Sequence, residues 1–495
     1  MVRTTSLARA GLAMLVVSVL GLPSIAAAQA APSFLFDLQV AGDLDGDGGR
    51  DLVGWYADQE GSTYGPLPTL TMYALRGRDG AVLWTAPADA HYAVMIPGEV
   101  GPAGAPGVFV QLIRVYPDNN SDVEIREQWL RAYRGDGTLV WERHRDLPSA
   151  VLEGGWWGFS ETAELLPGPA SDLVLVSSES GGLDESAGMD APDTVGAARG
   201  TDGTDGPALP HSGFNGVVPD VTGDDLDELA FVSATFTDAT VEVRRPTDGS
   251  LVWRSTFPIE GSGGLLVPVG DATGDEVPDL LYPSMPAVLL SGADGSAVWT
   301  RDVGWPHRLG DVDGDGLADV GGSYRFNQQG FRHVAVNGDG DFLYRREYAV
   351  DMQGADFAFG YSYDVGDADG DGVRDRYQVL YAQGGGAVLD SVSGLVSGGT
   401  GGIPWGLPDG TQQPFALRAS VDGDGDDLLR TECPGDEGTY RALDGRDGST
   451  LWSASAPGCP GFEEAADLDG DGRADLVLQS PLTVLSGADG HPLWS

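Results

Sequence analysis

Positive charge is scarce in this sequence. Lysine is absent, so the 28 basic residues are all arginines, against 75 acidic residues, and the formal net charge is −47. Such a chain cannot bind nucleic acid or an anionic membrane through charge, because those partners are themselves negative. Cations are its natural counterparts. An acidic surface adapted to high salt, or a genome base bias against lysine, would also explain this composition, but neither explains why the acids are so regularly spaced.

Long apolar runs are also absent, apart from one near the N-terminus. Arg3 and Arg9 precede an apolar run from Ala10 to Leu22. Small residues then follow as far as Ala28-Gln29-Ala30. This pattern predicts a secretory signal peptide over residues 1–30. A membrane anchor is the alternative, but the run is shorter than the roughly 20 residues that span a bilayer. We therefore expect an exported chain, secreted, periplasmic or at the cell surface, with no membrane insertion after cleavage.

Cysteine and histidine are both scarce. Cys433 and Cys459 are expected to form a disulfide, because an exported chain folds in an oxidising compartment. The six histidines are scattered, and the sequence has neither a His-Glu-x-x-His nor a Gly-x-Ser-x-Gly motif. These absences favour a protein that is not an enzyme. A glycosidase or lyase would need a specific carboxylate pair, which cannot be singled out among 75 acids.

One acidic phrase of nine residues recurs along the chain. Four copies have the form Asp-x-Asp-Gly-Asp-Gly-x-x-Asp and begin at Asp43, Asp311, Asp367 and Asp467. Two variants begin at Asp220 and Asp271, and a seventh copy, beginning at Ser420, lacks one residue. Two further stretches keep the apolar frame without the acids, at Gly98–Gly107 and Glu164–Asp172.

A second phrase recurs a few tens of residues after the acidic one. It reads Ala-Leu-x-Gly-x-Asp-Gly-x-x-Leu-Trp, and copies lie at Tyr73–Trp84, Ala132–Trp141, Val288–Trp299, Ala442–Trp452 and Val484–Trp494. Asp-Gly between short β-rich runs is a strong sign of a hairpin. Each unit therefore predicts an apolar strand, an acidic loop, a second apolar strand and a hairpin that ends near tryptophan.

The period of the repeat predicts the fold. Nine units recur at intervals of about 53 residues, which is typical of the four-stranded blades of a β-propeller. We expect an all-β, monomeric, single propeller over residues 31–495. Because propellers usually have four to eight blades, eight is the best estimate, in a range of seven to nine, with the weak unit near Glu164 absorbed or incomplete. Residues 177–206, rich in Gly, Ser, Asp and Glu, are predicted to be a flexible insertion.

The acidic phrase predicts a metal site. Carboxylates at positions 1, 3, 5 and 9 of a tight turn repel one another unless a cation lies among them. Calcium accepts six to eight oxygen ligands, and the backbone carbonyl at position 7 can add one; EF-hands share the first six positions, but their Glu at position 12 is missing here. The predicted Ca²⁺ ligands are Asp43, Asp45, Asp47, Gly49 and Asp51; Asp220, Thr222, Asp224, Leu226 and Glu228; Asp271, Thr273, Asp275, Val277 and Asp279; Asp311, Asp313, Asp315, Leu317 and Asp319; Asp367, Asp369, Asp371, Val373 and Asp375; Asp422 and Asp424; and Asp467, Asp469, Asp471, Arg473 and Asp475.

The acidic phrase resembles the Asp-x-Asp-Gly-Asp-Gly-x-x-Asp-Leu loop of FG-GAP and VCBS-type repeats, which form the propeller of the integrin α-subunit. The resemblance extends over nearly all of residues 31–495 and implies calcium loops between the first two strands of each blade. The departures are replaced acids or turn glycines at Thr222, Asp225, Thr273 and Glu276, and the shortened loop at Ser420.

An exported propeller without a catalytic motif predicts an extracellular binding, adhesion or surface-display module, whose partner is an unidentified protein or glycan. A propeller enzyme, quinoprotein-like or carbohydrate-active, is the alternative, because the second phrase also resembles the repeat of quinoprotein dehydrogenases. Those enzymes often have vicinal cysteines, whereas Cys433 and Cys459 are far apart in sequence, and their repeat has no acidic loops. A scaffold without a specific ligand is the third possibility.

Overall fold

A computed structural model describes residues 35–495, except residues 58–69, 118–122, 147–155, 179–193, 211–212, 261–262, 305, 327–329, 352, 386, 407–414, 417–418, 434–436, 460 and 480. Every secondary-structure element assigned to these residues is a β-strand, and the strands are numbered β1 to β35. Residues Ala31–Ser495 form one compact unit. The described residues include no helix that is long and apolar enough to cross a membrane. The predicted signal peptide, residues 1–30, lies outside them.

The strands form nine antiparallel sheets, each built from consecutive strands. The first three sheets contain β1 (Phe36–Val40), β2 (Leu52–Ala57), β3 (Leu70–Leu75) and β4 (Val82–Ala88); β5 (Tyr92–Val100), β6 (Ala105–Pro117), β7 (Val123–Arg134) and β8 (Leu139–Asp146); and β9 (Trp156–Ala163), β10 (Asp172–Ser178), β11 (Thr194–Ala198) and β12 (Leu209–Pro210). The next three contain β13 (Phe214–Val218), β14 (Glu228–Ala234), β15 (Asp238–Arg244) and β16 (Leu251–Pro258); β17 (Val267–Gly270), β18 (Asp279–Tyr282), β19 (Ala287–Leu290) and β20 (Ala297–Arg301); and β21 (Pro306–Gly310), β22 (Asp319–Phe326), β23 (Gly330–Val336) and β24 (Phe342–Ala349). The last three contain β25 (Phe357–Gly366), β26 (Asp375–Gly384) and β27 (Ala387–Val396); β28 (Phe415–Ala416), β29 (Leu428–Glu432), β30 (Glu437–Leu443) and β31 (Thr450–Pro457); and β32 (Gly461–Ala466), β33 (Asp475–Gln479), β34 (Thr483–Leu485) and β35 (Pro492–Trp494).

These sheets are the nine blades of a β-propeller. Within the described residues eight blades have four strands and the seventh has three, so the predicted all-β propeller is confirmed. The blade count is nine, at the top of the predicted range, rather than the best estimate of eight. The difference arises at Glu164, where the unit that was expected to be incomplete forms a complete blade, β9–β12. The repeat period therefore counts the blades correctly even where the acids are missing.

The segment predicted to be a flexible insertion, residues 177–206, is partly strand. Thr194–Ala198 is β11, which pairs with β10 from Leu173 to Ser177. The Gly-rich residues that follow form the hairpin turn of blade 3, where Gly203 lies against the ring of Trp141 in blade 2. Residues 194–206 therefore belong to blade 3, where the composition of residues 199–206 is that of the hairpin phrase, and the flexibility of the segment stays a prediction. Residues 179–193 lie outside the described residues.

The hydrophobic core lies between blades. Trp253 and Val241 of blade 4 pack with Leu280 of blade 5 in one apolar cluster, and similar clusters join the other neighbouring blades. Inner strands are covered on both faces and read as continuous apolar runs, as in Ala287–Leu290, which is buried throughout. Outer strands such as Leu251–Pro258 alternate between exposed and buried residues.

The second phrase joins six of the nine pairs of neighbouring blades through a tryptophan. Trp84 donates a hydrogen bond from Nε1 to the Gly135 carbonyl oxygen of blade 2 at 3.0 Å, and its ring lies against Gly137. The same bond links other blades through Trp141, Trp253, Trp405, Trp452 and Trp494, which donate to Gly200, Gly292, Gly445, Gly487 and Gly77. The tryptophan that ends the phrase and the glycines within it are thus two halves of one contact between blades.

Cys433 and Cys459 form the predicted disulfide, with a Cα–Cα distance of 5.9 Å. Cys433 follows β29, and Cys459 lies between β31 and β32. The bond therefore connects blade 8 to the start of blade 9.

Candidate metal centres

The seven acidic loops lie between the first and second strands of blades 1, 4, 5, 6, 7, 8 and 9. Because each loop occupies the same place in its blade, all seven lie at the same end of the propeller. The blade 2 and blade 3 loops at this place are the two that lack the acids. The structure thus brings the separated copies of the acidic phrase to one face.

The first residue of each loop shapes its turn. In blade 1, Asp43 accepts hydrogen bonds from the backbone N–H groups of Gly46, Asp47 and Gly48 at 2.6 to 3.0 Å. Asp220, Asp271, Asp311 and Asp467 accept equivalent bonds in their own loops. A carboxylate at position 1 therefore has a structural function before any cation is considered.

The shortened loop of blade 8 keeps this turn without the acid. The Ser420 hydroxyl oxygen accepts hydrogen bonds from the N–H groups of Gly423 and Asp424 at 2.6 and 3.1 Å. Serine replaces aspartate as the acceptor that closes the turn, but it removes one negative charge. The loop has kept its conformation and lost a ligand.

Position 6 requires a left-handed backbone. Gly48 has φ of +96° and Gly316 has φ of +87°, a conformation that costs glycine little. In blades 4 and 5 the same position holds Asp225 and Glu276, both with φ of +66°. These residues adopt the left-handed conformation at a cost of about 1 kcal/mol each.

The last acid of each loop is buried and tied to the backbone. Asp51 is fully buried and accepts hydrogen bonds from the Leu44 N–H at 2.7 Å and the Gly77 N–H at 3.1 Å. Gly77 belongs to the hairpin phrase, so the carboxylate connects the acidic loop with the hairpin. Asp279, Asp375, Asp427 and Asp475 make the same pair of connections in their blades.

Blade 3 shows that this bond does not depend on metal. It has no acidic phrase, yet buried Asp172 accepts hydrogen bonds from Leu165 and Leu166 at 3.1 and 2.6 Å. The sequence contained a signal for this structural function, because Asp172 persists in a unit that lacks the acids at positions 3 and 5.

Burial raises the pKa of these final acids. The pKa of Asp51, Asp319 and Asp475 rises to about 6, chiefly because burial removes water from the carboxylate, and neighbouring loop aspartates raise it further. The pKa of Glu228 and Asp375 rises to about 7 for the same reasons. A cation among the acids would favour the ionised form and reverse this shift.

Among the described residues, six acidic groups have oxygens within 4.8 Å of one another and can hold a metal ion, and five of them are Asp43, Asp45 and Asp51; Asp220, Asp224 and Glu228; Asp311, Asp313 and Asp315; Asp367, Asp369 and Asp371; and Asp422, Asp424 and Asp444. The first four groups combine residues that the sequence predicted as ligands. Asp444 was missed, because it comes from the hairpin phrase of blade 8 rather than from the acidic phrase. It lies next to the loop in which Ser420 has removed an acid.

The remaining predicted ligands lie in the same turns. The position-5 carboxylates accept hydrogen bonds from the position-7 N–H groups, so Asp47, Asp224, Asp275, Asp315, Asp371 and Asp471 lie beside Gly49, Leu226, Val277, Leu317, Val373 and Arg473. At position 3, Asp369 and Asp469 donate their N–H groups to Asp375 and Asp475, and the Thr273 hydroxyl donates to Asp279 at 3.5 Å. Coordination by the position-7 carbonyl oxygens stays a prediction.

Among the described residues, three buried carboxylate oxygens of the acidic loops have no hydrogen-bond partner: Glu228 Oε1, Asp319 Oδ1 and Asp367 Oδ1. Glu228 is fully buried and Asp319 is 1% exposed, and neither Glu228 Oε1 nor Asp319 Oδ1 is hydrogen-bonded in the described structure. The Thr222 hydroxyl lies near enough to Glu228 to favour ionisation, but it is itself buried without a hydrogen bond of normal geometry. An unpaired buried carboxylate oxygen is costly. A cation among the acids would compensate for it.

Neighbouring loops are joined by backbone hydrogen bonds. The Arg50 N–H of blade 1 donates to the Asp467 carbonyl oxygen of blade 9 at 2.9 Å, and the Ala318 N–H of blade 6 donates to Asp271 of blade 5 at 2.8 Å. Asp227 and Ala474 bond in the same way to Glu164 and Ser420 of the preceding blades. The loops were expected to tie two strands of a single blade, but they also tie one blade to the next.

One buried histidine lies away from the loops. His333 of blade 6 contacts Ser323 Oγ through Nδ1 at 2.8 Å and Gln378 Oε1 of blade 7 through Nε2 at 2.9 Å. Burial lowers the pKa of His333 to about 4, so the ring is neutral at pH 7. All three side chains are buried, and the group is a polar link between blades 6 and 7.

Fold and loops together define a class: a nine-bladed β-propeller whose acidic inter-strand loops can hold metal ions.

No protein-family model and no curated protein matches the sequence. Among solved structures, the chain is similar to rhamnogalacturonan lyase YesW, with 15% identity, 94% of this chain and 91% of that chain covered, and a TM-score of 0.44. The exotype rhamnogalacturonan lyase YesX gives 14% identity, the same coverage and a TM-score of 0.44. The C-terminal WD40 domain of Sif2 gives 11% identity, 90% and 93% coverage, and a TM-score of 0.36. Likeness this distant carries no argument about activity.

Proposed function

We propose that this protein is an exported, calcium-binding β-propeller of FG-GAP or VCBS type that acts as an extracellular binding or surface-display module. The observation that carries the proposal is the set of buried, unpaired carboxylate oxygens of Glu228, Asp319 and Asp367 within acidic loops. Calcium suits these loops better than magnesium, because it accepts more oxygen ligands in irregular geometry. Zinc would favour His or Cys ligands, which the acidic phrases lack.

Calcium in this proposal stabilises the ring. The final acid connects five of the loops to their hairpin phrases, and backbone hydrogen bonds connect loops to their neighbours. A bound cation would neutralise the repulsion that opposes both connections. At a free calcium concentration tenfold above Kd, each site adds about 1.4 kcal/mol to the free energy of unfolding if the unfolded chain does not bind.

The extracellular role rests on the expected signal peptide and on the disulfide between Cys433 and Cys459. In this proposal the propeller presents a rigid surface to a protein or glycan outside the cell, and it catalyses no reaction. Nucleic acid is excluded as a charge-driven partner by the net charge of −47.

The experiment is calcium titration of chelator-treated protein by calorimetry, with a melting series of wild type and Asp313→Ala. We expect uptake at Kd of roughly 10⁻⁴ to 10⁻³ M. Asp313→Ala should lower the thermal midpoint in calcium and much less in chelator, since the metal-free wild type has already lost that ligand's contribution. Asp302→Ala, at an exposed aspartate between β20 and β21, is the control and should behave as wild type. Absence of calcium uptake at millimolar concentration would refute the proposal.

A further inference from the structure

The blades with acidic loops differ in the residue that begins the hairpin turn. In blades 1 and 4 this residue is Arg76 and Arg245, whereas in blades 5, 7 and 9 it is Ser291, Ser397 and Ser486, and in blade 6 it is Asn337. The backbone register is the same, because Arg76, Ser291 and Ser486 each accept the N–H of the glycine four residues later. These residues therefore occupy equivalent positions in their blades.

In blade 1 the hairpin arginines contact the acidic loop. Arg76 Nε donates to Asp45 Oδ2 at 2.7 Å and lies 3.6 Å from Asp47 Oδ2. Arg78 Nε lies 3.1 Å from the same Asp47 oxygen. Two guanidinium groups thus neutralise the acids at positions 3 and 5 of a loop that matches the repeat consensus at all of its acids.

Blades 4 and 8 repeat the contact with one arginine each. Arg245 Nε lies 3.7 Å from Asp224 Oδ2, in the group that contains the unpaired Glu228 oxygen. In blade 8, Arg446 pairs with the Asp424 carboxylate and donates to the Asp424 carbonyl oxygen at 2.6 Å. We call the loops of blades 1, 4 and 8 the arginine-filled loops.

The loops of blades 5, 6, 7 and 9 have no such partner. Among the described residues, no arginine forms an ion pair with an acid of Asp271–Asp279, Asp311–Asp319, Asp367–Asp375 or Asp467–Asp475. We call these the arginine-free loops, because no arginine side chain pairs with their acids. Two of them contain a buried carboxylate oxygen without a hydrogen-bond partner, Asp319 Oδ1 and Asp367 Oδ1.

We propose that the hairpin arginines are built-in counter-cations that set which loops bind calcium. This inference rests on the proposed calcium-binding function. An arginine-filled loop must release its guanidinium, or bind calcium beside a positive charge, before the carboxylates can coordinate. The arginine-free loops bind first, and the arginine-filled loops hold their conformation at calcium concentrations that leave them empty. A close charge of this kind changes affinity by about tenfold.

The test exchanges the hairpin residues of blades 1 and 9, because Arg76-Gly-Arg78 and Ser486-Gly-Ala488 occupy the same register. Arg76→Ser with Arg78→Ala should add one site that binds calcium about tenfold more tightly than before. Ser486→Arg with Ala488→Arg should remove one of the tight sites. Arg245→Ser should add one tight site in blade 4. Calcium bound per chain is measured by equilibrium dialysis across the titration range.

Arg134→Ser is the matched control, because Arg134 begins the hairpin turn of blade 2, whose Gly98–Gly107 loop lacks the acids. It should leave the number of bound calcium ions unchanged. Thermal melting in chelator shows whether each variant is folded. Unchanged calcium binding in folded exchange variants, with a wild type that binds calcium, would overturn this inference alone. No calcium uptake by wild type or by any variant would overturn the proposed function and the inference with it.

Discussion

At the scale of the residue, the acids of one loop divide their functions. The first and last acids are engaged by backbone N–H groups, as Asp43 and Asp51 are in blade 1. The acids between them are more exposed and hydrogen-bond less to the rest of the blade. The loop is therefore folded by some of its carboxylates and offers the others to a cation or to an arginine.

The raised pKa values of the final acids predict a pH dependence of calcium stabilisation. Burial raises the pKa of Asp51 and Asp475 to about 6 and that of Asp375 to about 7. The unfolded pKa is about 4, so in metal-free protein the contribution of these groups to stability is fully present below pH 4 and lost as pH rises through 6 to 7. Calcium binds the ionised carboxylates, so its contribution rises over the same range.

We expect the difference in thermal midpoint between calcium-loaded and metal-free protein to widen from about pH 5 to about pH 7.5. Calcium binding near pH 6 should also release protons, which calorimetry in buffers of different ionisation enthalpy detects. A midpoint difference that stays constant across this range, without proton release, would contradict the assignment.

The acids of the repeated loops could be predicted from sequence because their spacing is local. What spacing could not give is the contribution of the hairpin phrase, which lies a few tens of residues later and meets the loop only after the sheet has formed. Asp444 and Arg76 are examples, since one joins an acidic group and the other neutralises one. Their functions follow from strand pairing rather than from a motif.

At the scale of the element, the hairpin phrase is a joint between blades. Its glycine at the turn adopts positive φ and leaves room for the aromatic ring of the preceding blade. In blade 9, Gly490 has φ of +75°, and a Cβ added there would lie 2.5 Å from Trp452 Cε3 of blade 8. The same arrangement places Gly137 on Trp84, Gly295 on Trp253 and Gly448 on Trp405.

Gly490→Ala should therefore destabilise the protein by about 2 to 4 kcal/mol, combining the left-handed backbone with the clash against a buried ring. Gly461→Ala in the same blade is the control, because an added Cβ there meets no atom within 4 Å, and it should change stability by less than about 0.5 kcal/mol. Urea unfolding at fixed calcium measures both. Equal losses in the two variants would show that the glycine-on-tryptophan contact does not hold the blades together.

At the scale of the whole molecule, the ring closes without exchanging a strand. Within the part of the chain that the structure describes, each blade is made of consecutive strands, so the first and last blades meet through side chains and loops rather than through a shared strand. Leu468 and Val484 of blade 9 pack with Leu38 of blade 1, and the Arg50 N–H donates to Asp467. Sequence predicted the propeller but left the count at seven to nine, because the units of blades 2 and 3 had lost the acids that mark the others.

The joint between blades 9 and 1 should contribute to stability as the joint between blades 1 and 2 does, because it uses the same contact. Trp494 of the last blade donates from Nε1 to the Gly77 carbonyl oxygen of the first blade at 2.5 Å. Trp84 donates in the same way to Gly135 of the next blade at 3.0 Å. We expect Trp494→Ala to reduce the free energy of unfolding by about 3 kcal/mol, and Trp84→Ala to reduce it by a similar amount or slightly more, since Trp84 is the more buried ring. Urea unfolding of both variants under matched calcium gives the comparison. If Trp494→Ala left stability within about 0.5 kcal/mol of wild type while Trp84→Ala cost several times more, the last blade would not be sealed against the first, and the nine blades would form an open arc rather than a ring.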